Sequence, residues 1–134
     1  MSEKLEFNLV SPERELFSGQ VDQVVVPGSE GDFAVLPRHA PVMSAVRPGA
    51  ITVTDGDEVR RIFVLGGFAD VTPAGLTILA EEAVDLADVD PAALEGQVKN
   101  ARDDVADAKD DETRAAAQAR LARLEALAAA KQAA

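Results

Sequence analysis

The 134-residue chain contains no cysteine, no tryptophan, no tyrosine and a single histidine. Without cysteine there is no disulfide framework, no thiolate zinc site and no cysteine nucleophile, and the chain is consistent with a reducing cytoplasm. With His39 alone, neither a Cys/His pair nor a multi-histidine metal site can be assembled. Ser/His/Asp catalysis survives the count, but no Gly-x-Ser-x-Gly nucleophile elbow occurs. The missing indole and phenol rings take away the usual stacking platforms for bases and sugars. The acid pairs Asp57-Glu58 and Glu81-Glu82 are sequence neighbours, which a strand would turn to opposite faces, so general acid/base cooperation is not expected of them. No catalytic, metal-binding or cofactor-binding residue is expected, and His39, between Arg38 and Ala40-Pro41, suits a turn or an interface.

Positive charge is also scarce: 13 Lys and Arg against 24 Asp and Glu give a formal net charge of −11. Such a surface repels phosphate backbones and anionic lipid, so neither nucleic acid nor direct lipid insertion is expected. No stretch approaches the roughly 20 apolar residues that span a bilayer. The opening Met1-Ser2-Glu3-Lys4-Leu5-Glu6 lacks the basic start and apolar run of a signal peptide. Membrane association, if any, should therefore run through another protein.

What is present falls into two halves. Residues 5 to about 84 read as short strands divided by Gly and Pro. Leu5 to Leu9 alternates with period two, and Val21 to Val26 follows, stopped by Pro27-Gly28. Strands are then expected at Phe33 to Leu36, Met43 to Val46, Ala50 to Thr54, Val59 to Leu65, Phe68 to Thr72 and Gly75 to Ala80. Asp55-Gly56-Asp57 is a hairpin turn signal. Gly66-Gly67 fits a bulge or a close backbone approach better than a phosphate loop, because no helix or lysine follows. This pattern predicts a sandwich or flattened barrel of antiparallel pairs.

The periodicity changes near residue 85. Asp90-Pro91 begins a helix, Asp as the cap and Pro at the first helical position. Leu94, Val98, Ala101, Val105 and Ala108 then recur at helical spacing. The acidic Asp107 to Glu112 stretch breaks this helix and offers Asp110 or Asp111 as the cap of a second, from about Thr113 to Lys131, carrying Leu121, Leu124 and Leu127. The short link predicts an antiparallel hairpin, with Leu94 and Val98 brought towards Leu127 and Leu124. Six larger aliphatics are few to order some forty residues, so the hairpin should be marginal alone and rest on the β domain or on a partner. Permanent docking and exchange between states are both open at this point. The expected division is residues 1–86 as the β domain and 87–134 as the hairpin.

One segment is more particular than composition explains: Val26-Pro27-Gly28-Ser29-Glu30-Gly31-Asp32-Phe33-Ala34-Val35-Leu36-Pro37-Arg38-His39-Ala40-Pro41. With Ser11-Pro12-Glu13-Arg14-Glu15-Leu16-Phe17-Ser18-Gly19, Arg47-Pro48-Gly49, Leu65-Gly66-Gly67-Phe68 and Leu79-Ala80-Glu81-Glu82-Ala83, the chain resembles the epsilon subunits of bacterial F-type ATP synthases over its whole length. The resemblance implies a sandwich of about ten strands and a movable helical hairpin, acting without chemistry of its own in the central rotor stalk. It implies a place on the cytoplasmic side of the bacterial inner membrane, peripheral, with the gamma subunit and the c ring as partners. The hairpin would reach the catalytic alpha/beta head transiently and restrain ATP hydrolysis, which tips the balance above towards mobility.

By position, Ser29, Glu30, Gly31 and Asp32 match the family's c-ring contact. Arg38, His39, Ala40 and Pro41 match the region facing gamma, and Val42 and Met43 extend it. Some members bind ATP through an Ile/Leu-Asp-x-x-Arg-Ala motif opening the first helix. Here Val89-Asp90-Pro91-Ala92-Ala93-Leu94 keeps Asp90 but has Ala93 for the arginine and Leu94 for the alanine, with Arg102 as the only nearby substitute, so no ATP binding is expected. The second helix offers Arg114, Arg120, Arg123 and Lys131 to the acidic head, few for an electrostatic latch, so intrinsic inhibition should be weak or nil. The alternative function, from another class, is a free-standing module that senses a small molecule under its hairpin.

Overall fold

The computed structural model describes residues 3–133. Ten strands come first: β1 (Leu5–Val10), β2 (Glu15–Val21), β3 (Gln23–Gly28), β4 (Gly31–Val35), β5 (Val42–Val46), β6 (Gly49–Asp55), β7 (Glu58–Val64), β8 (Gly67–Thr72), β9 (Gly75–Ala80) and β10 (Ala83–Asp85). A single turn of 3-10 helix (Leu86–Asp88) leads to α1 (Pro91–Asp107) and α2 (Asp111–Ala133). The chain divides into two compact units between Ala87 and Asp88.

In the β unit the strands form one continuous sheet in the order β10-β7-β6-β3-β5-β8-β9-β1-β2, with β4 paired to β3. Its nearly closed course makes the flattened barrel expected from the strand pattern. All ladders are antiparallel except that of β1 with β9, where Phe7 lies opposite Leu76 and Leu9 opposite Ile78 in parallel register. Sequence pattern does not distinguish a parallel from an antiparallel partner when both strands alternate, so this ladder is a product of topology. Leu5, Phe7, Leu9, Val24, Val26, Val35, Ile51, Val64, Val71, Leu76 and Ile78 fill the core, each from one face of its strand. No polar or charged residue among those described is buried.

Several elements depart from the expected boundaries, β4 among them, which spans Gly31–Val35 and leaves out Leu36. Val21 to Val26 is two strands, because the chain turns at Asp22, whose carboxylate accepts from Gly56 N–H at 2.6 Å and from Lys4 Nζ at 2.7 Å. Strand β3 then runs through Pro27-Gly28 instead of stopping there. Proline's fixed φ suits extended chain, and Pro27 still accepts from Arg47 N–H at 2.9 Å through its carbonyl. Strand β2, absent from the sequence expectation, pairs only with β1 at the sheet edge, and its burial does not alternate. The three-residue β10 is too short to show a period.

The sheet turns a corner at Leu65-Gly66, where the chain leaves the β6/β10 neighbourhood of β7 for the β5/β9 neighbourhood of β8. Leu65 N–H donates to Glu82 O and Glu81 N–H to Gly66 O, both at 3.0 Å, so the β9–β10 connection turns beside it. Gly67 has φ +142°, and a Cβ there would stand 1.9 Å from Leu79 O. The close backbone approach expected of Gly66-Gly67 is this contact.

In the hairpin unit, Asp90 caps α1 by accepting from Ala92 N–H at 3.0 Å, with Pro91 in the first turn. Asp110 Oδ1 accepts from Thr113 N–H at 2.7 Å and caps α2, which begins two residues earlier than the sequence suggested. The ion pairs Asp104–Arg120 and Arg102–Glu125, at 3.3 and 3.6 Å, join the helices in antiparallel order. Leu94, Val98 and Ala101 are buried, whereas Val105, Leu121, Leu124 and Leu127 are half-buried. No residue of α2 is fully buried, which accords with a helix whose apolar side is mostly alanine.

Candidate functional site

The β3–β4 hairpin turns through Ser29-Glu30, with Gly28 opposite Gly31 as its last pair. Gly31 takes φ +136°, and a Cβ on Gly28 would stand 2.7 Å from Gly31 O and 2.9 Å from the Phe33 ring. Two glycines thus permit a turn narrower than side chains would allow. Ser29, Glu30, Gly31 and Asp32 are all exposed, as a contact surface requires. They differ in what they touch. Asp32 is ion-paired to Arg47 at 2.6 Å, and Ser29 N–H donates to Ala45 O at 2.9 Å. Glu30, at the tip, makes no hydrogen bond or ion pair among the described residues.

Of residues 38–43 all but His39 are exposed, and they differ in what they touch. Arg38 takes φ +63° in the turn after β4 and is ion-paired to Glu3. His39 is half-buried, its N–H donating to Leu36 O at 3.2 Å and its Nδ1 lying 2.7 Å from Ala40 O. The ring is tied to its own turn. Ala40 and Pro41 are exposed beside it. Val42 and Met43 are adjacent on β5, so their side chains leave opposite faces. Val42 pairs with buried Val71 yet is itself 40% exposed at the end of β5, whereas Met43 pairs with exposed Asp70 and is 73% exposed.

Met43 stands beside a row that the sequence did not single out. Ala45 lies opposite Phe68, Phe68 opposite Leu79, and Leu79 opposite Val10. The four side chains cross β5, β8, β9 and β1 on the outward face, over about 14 Å at the usual strand spacing. Phe68 is 59% and Leu79 47% exposed. Period-two alternation had the signal, since Phe68 is out of phase with buried Ala69 and Val71. It was obscured because a single apolar residue on a solvent face is ordinary. Only the register makes it a row.

One charge cluster of the β unit is bound internally. Lys4 bridges Asp22 and Asp55 at 2.7 and 2.6 Å. The Lys4 ammonium, then the Gly56 N–H, hold the Asp22 carboxyl below its usual range, and Asp22 with Asp55 raises Lys4. A depression of about 390 Å³ beside the β1–β2 turn is lined by Glu13, Arg14, Glu81 and Glu82 among others, a surface unsuited to an apolar ligand.

The basic residues expected to act from α2 are mostly engaged. Arg114 is ion-paired to Asp111 at 3.2 Å and donates to Ala108 O at 3.1 Å, closing the end of α1. Arg120 is paired across the hairpin as described. Arg123 is exposed and makes no ion pair among the described residues. At the start of α1 Asp90 is committed to its cap, and further along the helix Arg102 is ion-paired to Glu125. No helix among the described residues is long and apolar enough to cross a membrane.

Residues 4–86 match the family model described as the ATP synthase, Delta/Epsilon chain, beta-sandwich domain. The ATP synthase epsilon chain of Maricaulis maris is 61% identical over 127 residues, covering 95% of this chain and 96% of that one. That of Parvibaculum lavamentivorans is 59% identical over 128 residues, covering 95% and 97%. Among solved structures, a chain in the cryo-EM structure of the Euglena gracilis mitochondrial ATP synthase (OSCP, F1 and c-ring) superposes with a TM-score of 0.79 at 25% identity, covering 95% of this chain and 81% of that one. A sandwich with this corner and this turn, followed along the chain by a helical hairpin and matched over almost its whole length, belongs to the ATP synthase epsilon chains.

Proposed function

We propose that the chain is a non-catalytic central-stalk subunit of the proton-translocating ATP synthase, coupling the gamma subunit to the c ring. The observation that carries the docking is the outward row Ala45, Phe68, Leu79 and Val10, with Met43 beside it. Four adjacent strands present apolar side chains to solvent in register, a cost that burial against a partner removes. Gamma occupies this face, and Arg38 to Pro41 lie at its border. The β3–β4 turn meets the c ring. The site chemistry agrees with a role without catalysis: the one histidine is bonded to its own turn, and the acids are exposed or paired. As part of the complex this chain lies at the cytoplasmic side of the bacterial inner membrane, peripheral to it.

The α1–α2 hairpin is the regulatory part, reaching the alpha/beta head transiently. Arg114 and Arg120 are ion-paired within the hairpin, which leaves Arg123 as the unpaired arginine of α2, with Lys99 and Lys109 as the other exposed cations without an ion pair among the described residues. So few cations make restraint of ATP hydrolysis weak. The hairpin does not bind ATP, since Ala93 stands where phosphate would need a guanidinium. Co-purification with gamma, with and without residues 91–134, tests the assignment. Docking is expected to survive truncation and to be lost in Phe68→Glu. Loss on truncation would move the docking surface to the hairpin, and no docking at full length would refute the role.

A further inference from the structure

The two acids of the β3–β4 turn are chemically alike and two residues apart, but Arg47 separates their roles. Its Nη1 donates to Gly28 O at 2.7 Å and its Nη2 to Asp32 Oδ1 at 2.6 Å. Its own N–H donates to Pro27 O. One guanidinium therefore spans the end of β3 and the start of β4, gripping the hairpin on both sides of its tip. A planar fork can hold two acceptors in fixed directions, which a lysine ammonium on a flexible stem does poorly. The grip also consumes a charge, because Asp32 faces Arg47. Glu30 is left as the unengaged carboxylate on a turn already ordered before it meets anything, and pre-ordering lowers the entropy lost on docking.

We infer that Arg47 is a positioning residue for the ring contact, and that Glu30 alone, not Asp32, supplies the charge that the partner loop meets. This rests on the assignment of the turn to the c ring.

The test uses the full chain in two measurements: amide hydrogen exchange of the free protein, and docking to its own gamma–c-ring subcomplex. Arg47→Lys preserves charge and is expected to speed exchange at Ser29 N–H and to weaken docking roughly tenfold. Glu30→Gln should weaken docking by a similar factor with exchange unchanged. Asp32→Asn keeps an oxygen for Arg47 and removes the charge, and it should leave docking nearly intact. Combining Glu30→Gln with Arg47→Lys should cost less than the product of the two, since Arg47 acts through Glu30. If Asp32→Asn weakens docking as much as Glu30→Gln, the division between the acids is wrong while the ring contact stands. If Arg47→Lys changes neither exchange nor docking, the clamp is wrong. If exchange responds to Arg47→Lys but no substitution alters docking, the turn does not meet the ring, and the inference falls with that assignment.

Discussion

At Gly67 the backbone of β8 passes so near Leu79 that even a methyl group has no room, and its φ lies where side chains are strained. Gly67→Ala should destabilise the β unit by about 2–3 kcal/mol, measured by urea unfolding, since a backbone carbonyl, unlike a flexible side chain, would have to move. Asp90→Ala removes the α1 cap and should cost about 1 kcal/mol of hairpin stability, with Asp90→Asn nearly neutral. The Lys4–Asp22–Asp55 cluster makes a signed pH prediction. Asp22 is depressed in the folded state, so its contribution is present above the ordinary carboxylate pKa of about 3.9 and disappears as pH falls further. Lys4 is raised, so its contribution is complete below the usual lysine range and disappears as pH rises through its folded value. Asp22→Asn should therefore flatten the acid limb of a stability–pH profile and lower the neutral plateau. An unchanged acid limb would show that another carboxylate controls it.

The elements differ in how plainly their sequences declare them. Strands such as β1 and β9 bury alternate residues, and both helix starts carry an Asp cap, so propensity, pattern and tertiary position agree. The edge strand β2 was not legible, because a strand paired on one side need not alternate. The outward apolar row was not legible either, because Val10, Ala45, Phe68 and Leu79 come from four strands and share a face only through pairing. Their exposure leads to a prediction at this scale. Phe68→Ala should leave unfolding free energy within about 0.5 kcal/mol of the parent, while weakening gamma docking by about 2 kcal/mol, roughly thirtyfold. A loss of stability as large as the loss of docking would mean that Phe68 supports the sheet. In the hairpin, the cross-helix pairs of Arg102 and Arg120 are exposed and contribute little to stability. Their consequence is to occupy cations that an acidic partner would otherwise meet.

For the whole molecule, a formal charge of −11 sets how it approaches partners more than how tightly it holds them. Association with a basic surface should slow as salt rises, while dissociation from the apolar row changes little, a distinction that stopped-flow docking at low and high ionic strength would reveal. Deleting residues 91–134 should leave ATP hydrolysis by the assembled enzyme nearly unchanged, and a several-fold rise would refute the weak restraint argued from the paired arginines. Composition, turn chemistry and the change from period two to helical spacing were enough to establish a β unit followed by a two-helix hairpin, without a disulfide or a thiolate metal site. Those are local properties, expressed within a few residues along the chain. The parallel β1–β9 ladder, the row on the outer face, and the capture of Asp32 by Arg47 were decided by tertiary structure alone. Each depends on which distant strands become neighbours and in what register, and a one-residue slip in pairing would reverse every face without altering the local pattern.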